Sequence, residues 1–124
     1  SNSYPEALAR IHLQGRRMAD FHSRHDIVMS PTLARPPVPL GVQHTNNPDQ
    51  AAYVADLQAF TPFTQLFNLT GQPSMSAPLH WTSDRLPVGV MFSAAFGEEA
   101  TLLRLAGQLE EAKPWFGKIP GEVS

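Results

Sequence analysis

The chain has 124 residues, of which 42% are hydrophobic and 16% charged, a composition typical of one small globular domain and not of a disordered chain. Nine basic and eleven acidic side chains give a net charge of -2 without any basic run, so we expect neither nucleic acid nor an anionic membrane surface as a partner. The absence of cysteine excludes disulfides, thiolate nucleophiles and Cys-based zinc sites, and it favours a reducing, cytoplasmic location.

The N-terminal part is predicted to contain a helix, a strand and an irregular connector. Residues 5–25 carry apolar side chains at helical spacing and charged ones on the other faces, which predicts an amphipathic helix. The short apolar run at residues 26–30 favours a buried strand that Pro31 ends. Four prolines in residues 31–41 predict an extended connector, because each proline removes a backbone donor and fixes φ.

Two short helices should follow the connector. Asp49 is placed to cap the first of them, at residues 51–57. The second is predicted at residues 62–69, with Gly71 ending it.

The C-terminal part is predicted to contain two strands and a long helix. The strands are residues 74–77, which stop before Pro78, and residues 86–93, with a turn at residues 83–85 between them. Residues 98–113 predict a helix with a buried stripe formed by Ala100, Leu102, Leu103, Ala106 and Leu109.

These elements indicate an α/β fold with a small mixed sheet flanked by helices. Three strands make a poor sheet, and two of them are apolar enough to need cover on both faces. The few helices can cover only one face well. We therefore interpret the chain as part of something larger.

An ordered series of motifs resembles the C-terminal portion of the amidase-signature family. The series is DIVMSPT from Asp26, FTPFTQLFNLTGQPSMSAPL from Phe60, LPVGVMF from Leu86 and FGEEATLLRLAGQLE from Phe96. Single motifs are unspecific, but their order and spacing together are specific. The endings APLHW and QLEEAKPW look most like bacterial amidases of the 6-aminohexanoate-cyclic-dimer-hydrolase kind.

The sequence departs from the family pattern at a few positions. His80 stands where the family commonly has glycine, Met91 where glutamine is usual, and Ala94-Ala95 replace a more polar pair. These differences concern the details of the pocket and the packing at the strand end, and they do not change the family assignment.

The resemblance implies that this chain lacks the catalytic groups of such enzymes. Family members hydrolyse amides with a serine nucleophile, a second serine on a cis peptide bond and a lysine, and the serines lie in a Gly/Ser-rich stretch. No such stretch occurs here, and the two lysines, Lys113 and Lys118, lie in the wrong context. We therefore assign no catalytic residue and expect the chain to be inactive by itself.

The predicted organisation follows from that assignment. Residues 1–124 form a partial amidase domain, of which residues 1–3 are interpreted as a tag remnant. The expected partners are the missing N-terminal catalytic half and, in the whole enzyme, a small-molecule amide.

The resemblance also implies a substrate-binding role for one helix. In relatives of known structure, the helix before the equivalent of Asn68 lines the channel for the acyl part of the substrate. Thr61, Thr64 and Gln65 are the matching residues. The alternative, which we favour for the isolated chain, is that they are ordinary surface or cap residues, because a pocket needs walls on several sides.

Two other kinds of function remain to be weighed. His22 and His25 could supply two metal ligands, but their spacing matches no helical zinc motif, and we expect no metal and no cofactor. The second functional hypothesis is a free-standing, non-catalytic binding or assembly module that has the same arrangement of strands and helices as the C-terminal part of an amidase. An orphaned sheet edge and an uncovered apolar face would then favour self-association, which predicts a homo-oligomer.

Overall fold

A computed structural model describes residues 3–120 and contains, within that range, four helices and three strands. They are α1 (Tyr4–His22), β1 (Ile27–Pro31), α2 (Gln50–Phe60), α3 (Thr64–Thr70), β2 (Ser74–Trp81), β3 (Pro87–Ala94) and α4 (Glu99–Ala112). The residues between β1 and α2 form bends, turns and irregular backbone, without a helix or a strand. The α/β class, with helices flanking a small sheet, is confirmed.

The sheet has β3 in its centre, with strand order β1-β3-β2. Both pairs of strands are antiparallel, and Phe92 of β3 lies opposite Met29 of β1 and Met75 of β2. The sheet predicted from the sequence is mixed, but the described strands include no parallel pair. A connection as short as residues 82–86, between β2 and β3, forces antiparallel pairing.

The hydrophobic core lies between α4 and one face of the sheet. Ala77, Phe92, Ala94 and Leu102 form its buried cluster. The other face of β3 is also protected, since Met91 and the fully buried Ser93 point away from that cluster. The central strand is thus covered on both faces, as its apolar sequence predicts.

The second strand is longer than predicted, because Pro78 does not end it. The pairing with β3 is interrupted between Ala77 and His80 and resumes at His80, opposite Val88. A proline is tolerated in an edge strand or at a bulge, where no ladder hydrogen bond is needed from its nitrogen. The strand therefore continues to Trp81.

The first helix is shorter than predicted and ends at His22. The backbone N–H of Ser23 donates to Ala19 O at 3.0 Å, and the Ser23 hydroxyl donates to Asp20 O at 2.7 Å. These bonds satisfy carbonyls of the last turn. His25 consequently lies beyond the helix, so the predicted range of residues 5–25 is wrong at its C-terminal end.

The predicted buried stripe of the last helix is wrong in part. Leu102 is 4% exposed, but Leu103 is 73% exposed and Ala100 is exposed as well. Leu109 packs against the core as predicted, and Leu105, which the predicted stripe did not include, packs there as well. Leu103 lies about 100° around the helix from Leu102, so only one of the two can face the sheet.

The capping of the shorter helices agrees with the sequence. The Asp49 carboxylate accepts from Ala52 N at 2.9 Å at the start of α2. Gly71 ends α3 with φ of 73°, a left-handed conformation that favours glycine. Among the helices of the described range, none is long and apolar enough to cross a membrane.

Gly89 allows two side chains to meet across the central strand. The hydroxyls of Thr32 and Ser76 lie 2.6 Å apart, one beyond the end of β1 and the other on β2. A Cβ at Gly89 would lie 2.5 Å from Ser76 Oγ and 2.7 Å from Thr32 Oγ1. The missing side chain of Gly89 therefore leaves the space in which this hydrogen bond forms.

The Gly89→Ala substitution should lower the free energy of unfolding by about 1–3 kcal/mol, because the new methyl group displaces both hydroxyls. Gly107 of α4 provides a matched control, since nothing lies within 4 Å of its Cβ position. Gly107→Ala should raise the same free energy by up to about 1 kcal/mol. Urea denaturation measures both, and equal values for Gly89→Ala and the unsubstituted chain would contradict the steric argument.

Candidate functional site

The three predicted substrate-binding residues lie around the junction of α2 and α3. Thr61 ends α2 with φ of -116° and ψ of 44°, and α3 begins three residues later at Thr64. Thr61 and Gln65 therefore do not share one helix, so helical spacing does not relate their side chains. The three residues are close in sequence, but the structure does not place them on one face of one helix.

Their hydrogen bonds differ. The Thr61 hydroxyl donates to Leu57 O at 2.9 Å, and the Thr64 hydroxyl lies 3.4 Å from Thr61 O. With its proton so used, each hydroxyl retains only acceptor capacity for a ligand. Gln65 is exposed, and its amide makes no hydrogen bond to another residue of the described range.

A separate cleft of about 490 Å³ lies where α1 faces the segments that follow α3 and β3. None of Thr61, Thr64 and Gln65 lines it. Its walls combine small, aromatic and polar side chains: Gly15, Ala19, His22, Ser23, Thr70, Gln72, Ala95 and Phe96. Sequence analysis did not identify this cleft, because its walls come from segments far apart in the chain.

Gln72 connects the end of α3 to the end of the central strand. Its Nε2 donates to Ala94 O at 3.1 Å, and its Oε1 lies 3.0 Å from the Thr70 hydroxyl. Ala94 N in turn donates to Pro73 O at 3.1 Å. This network fixes one wall of the cleft to the sheet.

His22 is the ionisable residue in the wall of that cleft. Its Nδ1 lies 2.9 Å from His25 O, and because a carbonyl can only accept, Nδ1 carries the proton. Its Nε2 is buried and has no hydrogen-bond partner among the described residues. Within residues 3–120, no three His, Cys, Asp or Glu side chains are grouped so that they could hold a metal ion.

A second polar cluster joins the proline-rich connector to α2. One Asp56 oxygen accepts from Arg35 Nη2 and the other from Gln43 Nε2, each at 2.6 Å. The hydrogen bond from Gln43, followed by that from Arg35, lowers the pKa of the Asp56 carboxyl below its usual value. Arg35 also lies over the Phe60 ring, 5.4 Å from its centroid. No sequence motif indicates this cluster.

Comparison with known proteins shows which family this fold belongs to. The amidase family model matches residues 1–103, which include all three strands. "Putative amidase AmiC" of Mycobacterium leprae is 41% identical over 111 residues, which are 90% of this chain and 23% of that protein. The 6-aminohexanoate-cyclic-dimer hydrolase of Paenarthrobacter ureafaciens is 42% identical over 71 residues, 57% of this chain and 14% of that protein.

A solved structure agrees with the sequence matches. The 6-aminohexanoate cyclic dimer hydrolase complexed with substrate superimposes with a TM-score of 0.77 at 30% identity, over 91% of this chain and 24% of that one. The chain belongs to the amidase family. It spans about a quarter of the length of the relatives that it matches, which fits the C-terminal portion indicated by the order of its motifs.

Replacing Gln72 by glutamate should destabilise the fold, because a carboxylate oxygen would then face Ala94 O in place of a donor. We expect Gln72→Glu to lower the free energy of unfolding by about 1–3 kcal/mol at neutral pH. Gln65→Glu makes the same chemical change at an exposed side chain and should stay within about 0.5 kcal/mol. Chemical denaturation compares the two variants, and equal effects would refute the role given to Gln72.

Proposed function

We propose that this chain is the C-terminal structural part of an amidase that hydrolyses carboxamide C–N bonds. The observation that carries the proposal is the family match over residues 1–103 in a sequence without a Gly/Ser-rich stretch. In this reading, the chain supplies strands to a larger sheet and part of the acyl-pocket wall. The nucleophilic serine, the second serine and the lysine belong to the rest of the enzyme.

The chemistry of amide hydrolysis supports assigning no catalytic role to the described residues. A serine nucleophile needs a neighbouring base that removes its proton, and the tetrahedral intermediate needs donors for its oxyanion. The buried Ser93 hydroxyl pairs instead with the Ser74 hydroxyl at 2.7 Å, and neither partner is a base. The chain alone is therefore expected to be inactive.

Gln65 is the best candidate of the three predicted pocket residues for polar contact with a substrate. Its amide offers both donors and an acceptor, and it is exposed. Thr61 and Thr64 would contribute methyl groups and acceptor oxygens, because their protons bind backbone carbonyls. All three would line the acyl side of the pocket once the remaining walls are present.

Exposed apolar side chains support a partner that covers this layer. Met29 lies opposite the buried Phe92 on the core-facing side of the sheet, yet it is 69% exposed. Phe96 and Leu103 are exposed by 79% and 73%. We propose that the N-terminal catalytic half of an amidase covers these residues, and that the enzyme works in the cytoplasm, which the lack of cysteine favours.

The activity test uses the chain alone and the chain mixed with the N-terminal three quarters of the Mycobacterium leprae relative. We expect no amide hydrolysis by either part and measurable release of ammonia or amine from the mixture. The Gly89→Ala chain is the control, and it should restore less activity. Amide hydrolysis by the purified chain alone that disappears in the Gly89→Ala chain would contradict the assignment of the catalytic groups to another segment.

We expect the isolated chain to self-associate through the uncovered side of the sheet at β1. The alternative function, a free-standing assembly module, also requires self-association. Met29→Lys places a charge on that surface and should shift the chain towards monomer. Leu40→Lys makes a similar change at a fully exposed loop residue and should have no effect. Light scattering after size exclusion measures the mass, and a monomer at micromolar concentration would contradict self-association.

A further inference from the structure

The connector between β1 and α2 contains a loop whose two ends are held by one side chain. Arg35 precedes residues 36–42 and Gln43 follows them, and both donate to the Asp56 carboxylate at 2.6 Å. The two donors use different oxygens of that carboxylate, so they do not compete. We call residues 36–42 the strap.

The strap has little conformational freedom of its own. Three of its seven residues are proline, and each has a fixed φ. Gly41 has φ of 87°, and Val42 N donates to Pro39 O at 3.2 Å, which closes a turn. Holding the two ends therefore suffices to hold the whole segment.

Beneath the strap lies a cleft of about 390 Å³. Val38 and Val42 line it from the strap, and Ala52 and Tyr53 line it from α2. Val38 and Tyr53 are half-buried here, whereas Val42 is 54% exposed and Ala52 is exposed already, so opening the strap would uncover chiefly Val38 and Tyr53.

The strap and α2 lie outside the main core. No residue of α2 is buried, and the core cluster consists of residues from β2, β3 and α4. Besides the Asp56 bonds, Ala34 N donates to Phe60 O at 3.1 Å, and Arg35 covers the Phe60 ring. These contacts all lie at the C-terminal half of α2. Pro36 and Pro37 face the start of β3 across a separate cleft. The pairing of β3 involves only β1 and β2, so the strap takes no part in it.

We propose that residues 36–42 are a strap that Asp56 holds closed over the cleft against α2, and that it opens as a unit while the sheet stays folded. Its opening is controlled by the hydrogen bonds to one carboxylate. Both ions of the Arg35–Asp56 pair are partly exposed, by 45% and 41%, so water reaches the pair and makes it weaker than a buried one.

Hydrogen exchange of the Asp56→Asn variant tests the strap. The neutral amide keeps only one accepting oxygen and no charge, so one of the two bonds is lost and the other is weakened, and the Ala34 and Val42 amides should exchange on the order of tenfold faster. The Phe92 amide in β3 should be unchanged. Asp20→Asn is the matched control, because it removes the same charge from an exposed pair between Asp20 of α1 and Arg24, which follows that helix, and it should alter neither region.

Two results would overturn the proposal. Unchanged exchange at Ala34 and Val42 would show that Asp56 does not hold the strap. Equal acceleration at Phe92 would show that opening is not local. Gln43→Leu, which releases only one end, should accelerate Val42 more than Ala34, and the opposite order would also contradict the two-ended arrangement.

Acid should open the strap in the same way. Because the pKa of Asp56 is lowered in the folded chain, its contribution is complete above the usual aspartate value of about 3.9 and is lost as pH falls through the folded value. Arg35 and Tyr53 are the other titratable side chains that line the cleft. At pH values below about 4, the hydrogen-exchange protection factors of the strap should decrease in the unsubstituted chain and should vary less with pH in the Asp56→Asn variant. The same dependence on acid in both chains would contradict control by this carboxylate.

Discussion

The pairing of β3 with a strand on each side is the constraint on which the rest of this structure depends. Its backbone groups are satisfied by β1 and β2, so Phe92 and Ser93 can be buried on opposite faces without unpaired donors or acceptors. Gly89 extends that constraint, since the absence of its side chain lets Thr32 and Ser76 meet above the central strand. A single strand thereby positions residues that are 44 positions apart.

The positions of the helices follow from that sheet. α4 covers one face with Leu102, Leu105 and Leu109, whereas β1 extends beyond its cover and leaves Met29 exposed. An apolar surface of this kind is stable in a larger fold, where another layer covers it. The length of the relatives, about four times that of this chain, agrees with such a fold. These observations agree with the proposal that the chain is one layer of an amidase.

The polar groups of this layer position other segments. Gln72 ties the end of α3 to Ala94, and Asp56 ties the connector to α2. In both cases, one side chain with two hydrogen-bonding atoms adds to a backbone hydrogen bond between the segments: Ala94 N donates to Pro73 O in the first, and Ala34 N to Phe60 O in the second. The first tie is next to the buried sheet, whereas the second is on the surface, where both ions of the Arg35–Asp56 pair are partly exposed.

The sequence by itself determined the helices, the strands and the family. Hydrophobic periodicity, the Asp49 cap and the Gly71 stop are local signals, so the elements lie where they predict, within a few residues. Only the tertiary structure decided that Leu102 and not Leu103 faces the sheet, that β2 passes through Pro78, and that Asp56 binds Arg35 and Gln43. The reason is physical: these outcomes depend on which face of an element meets its neighbour and on contacts between distant residues, and no local pattern specifies either.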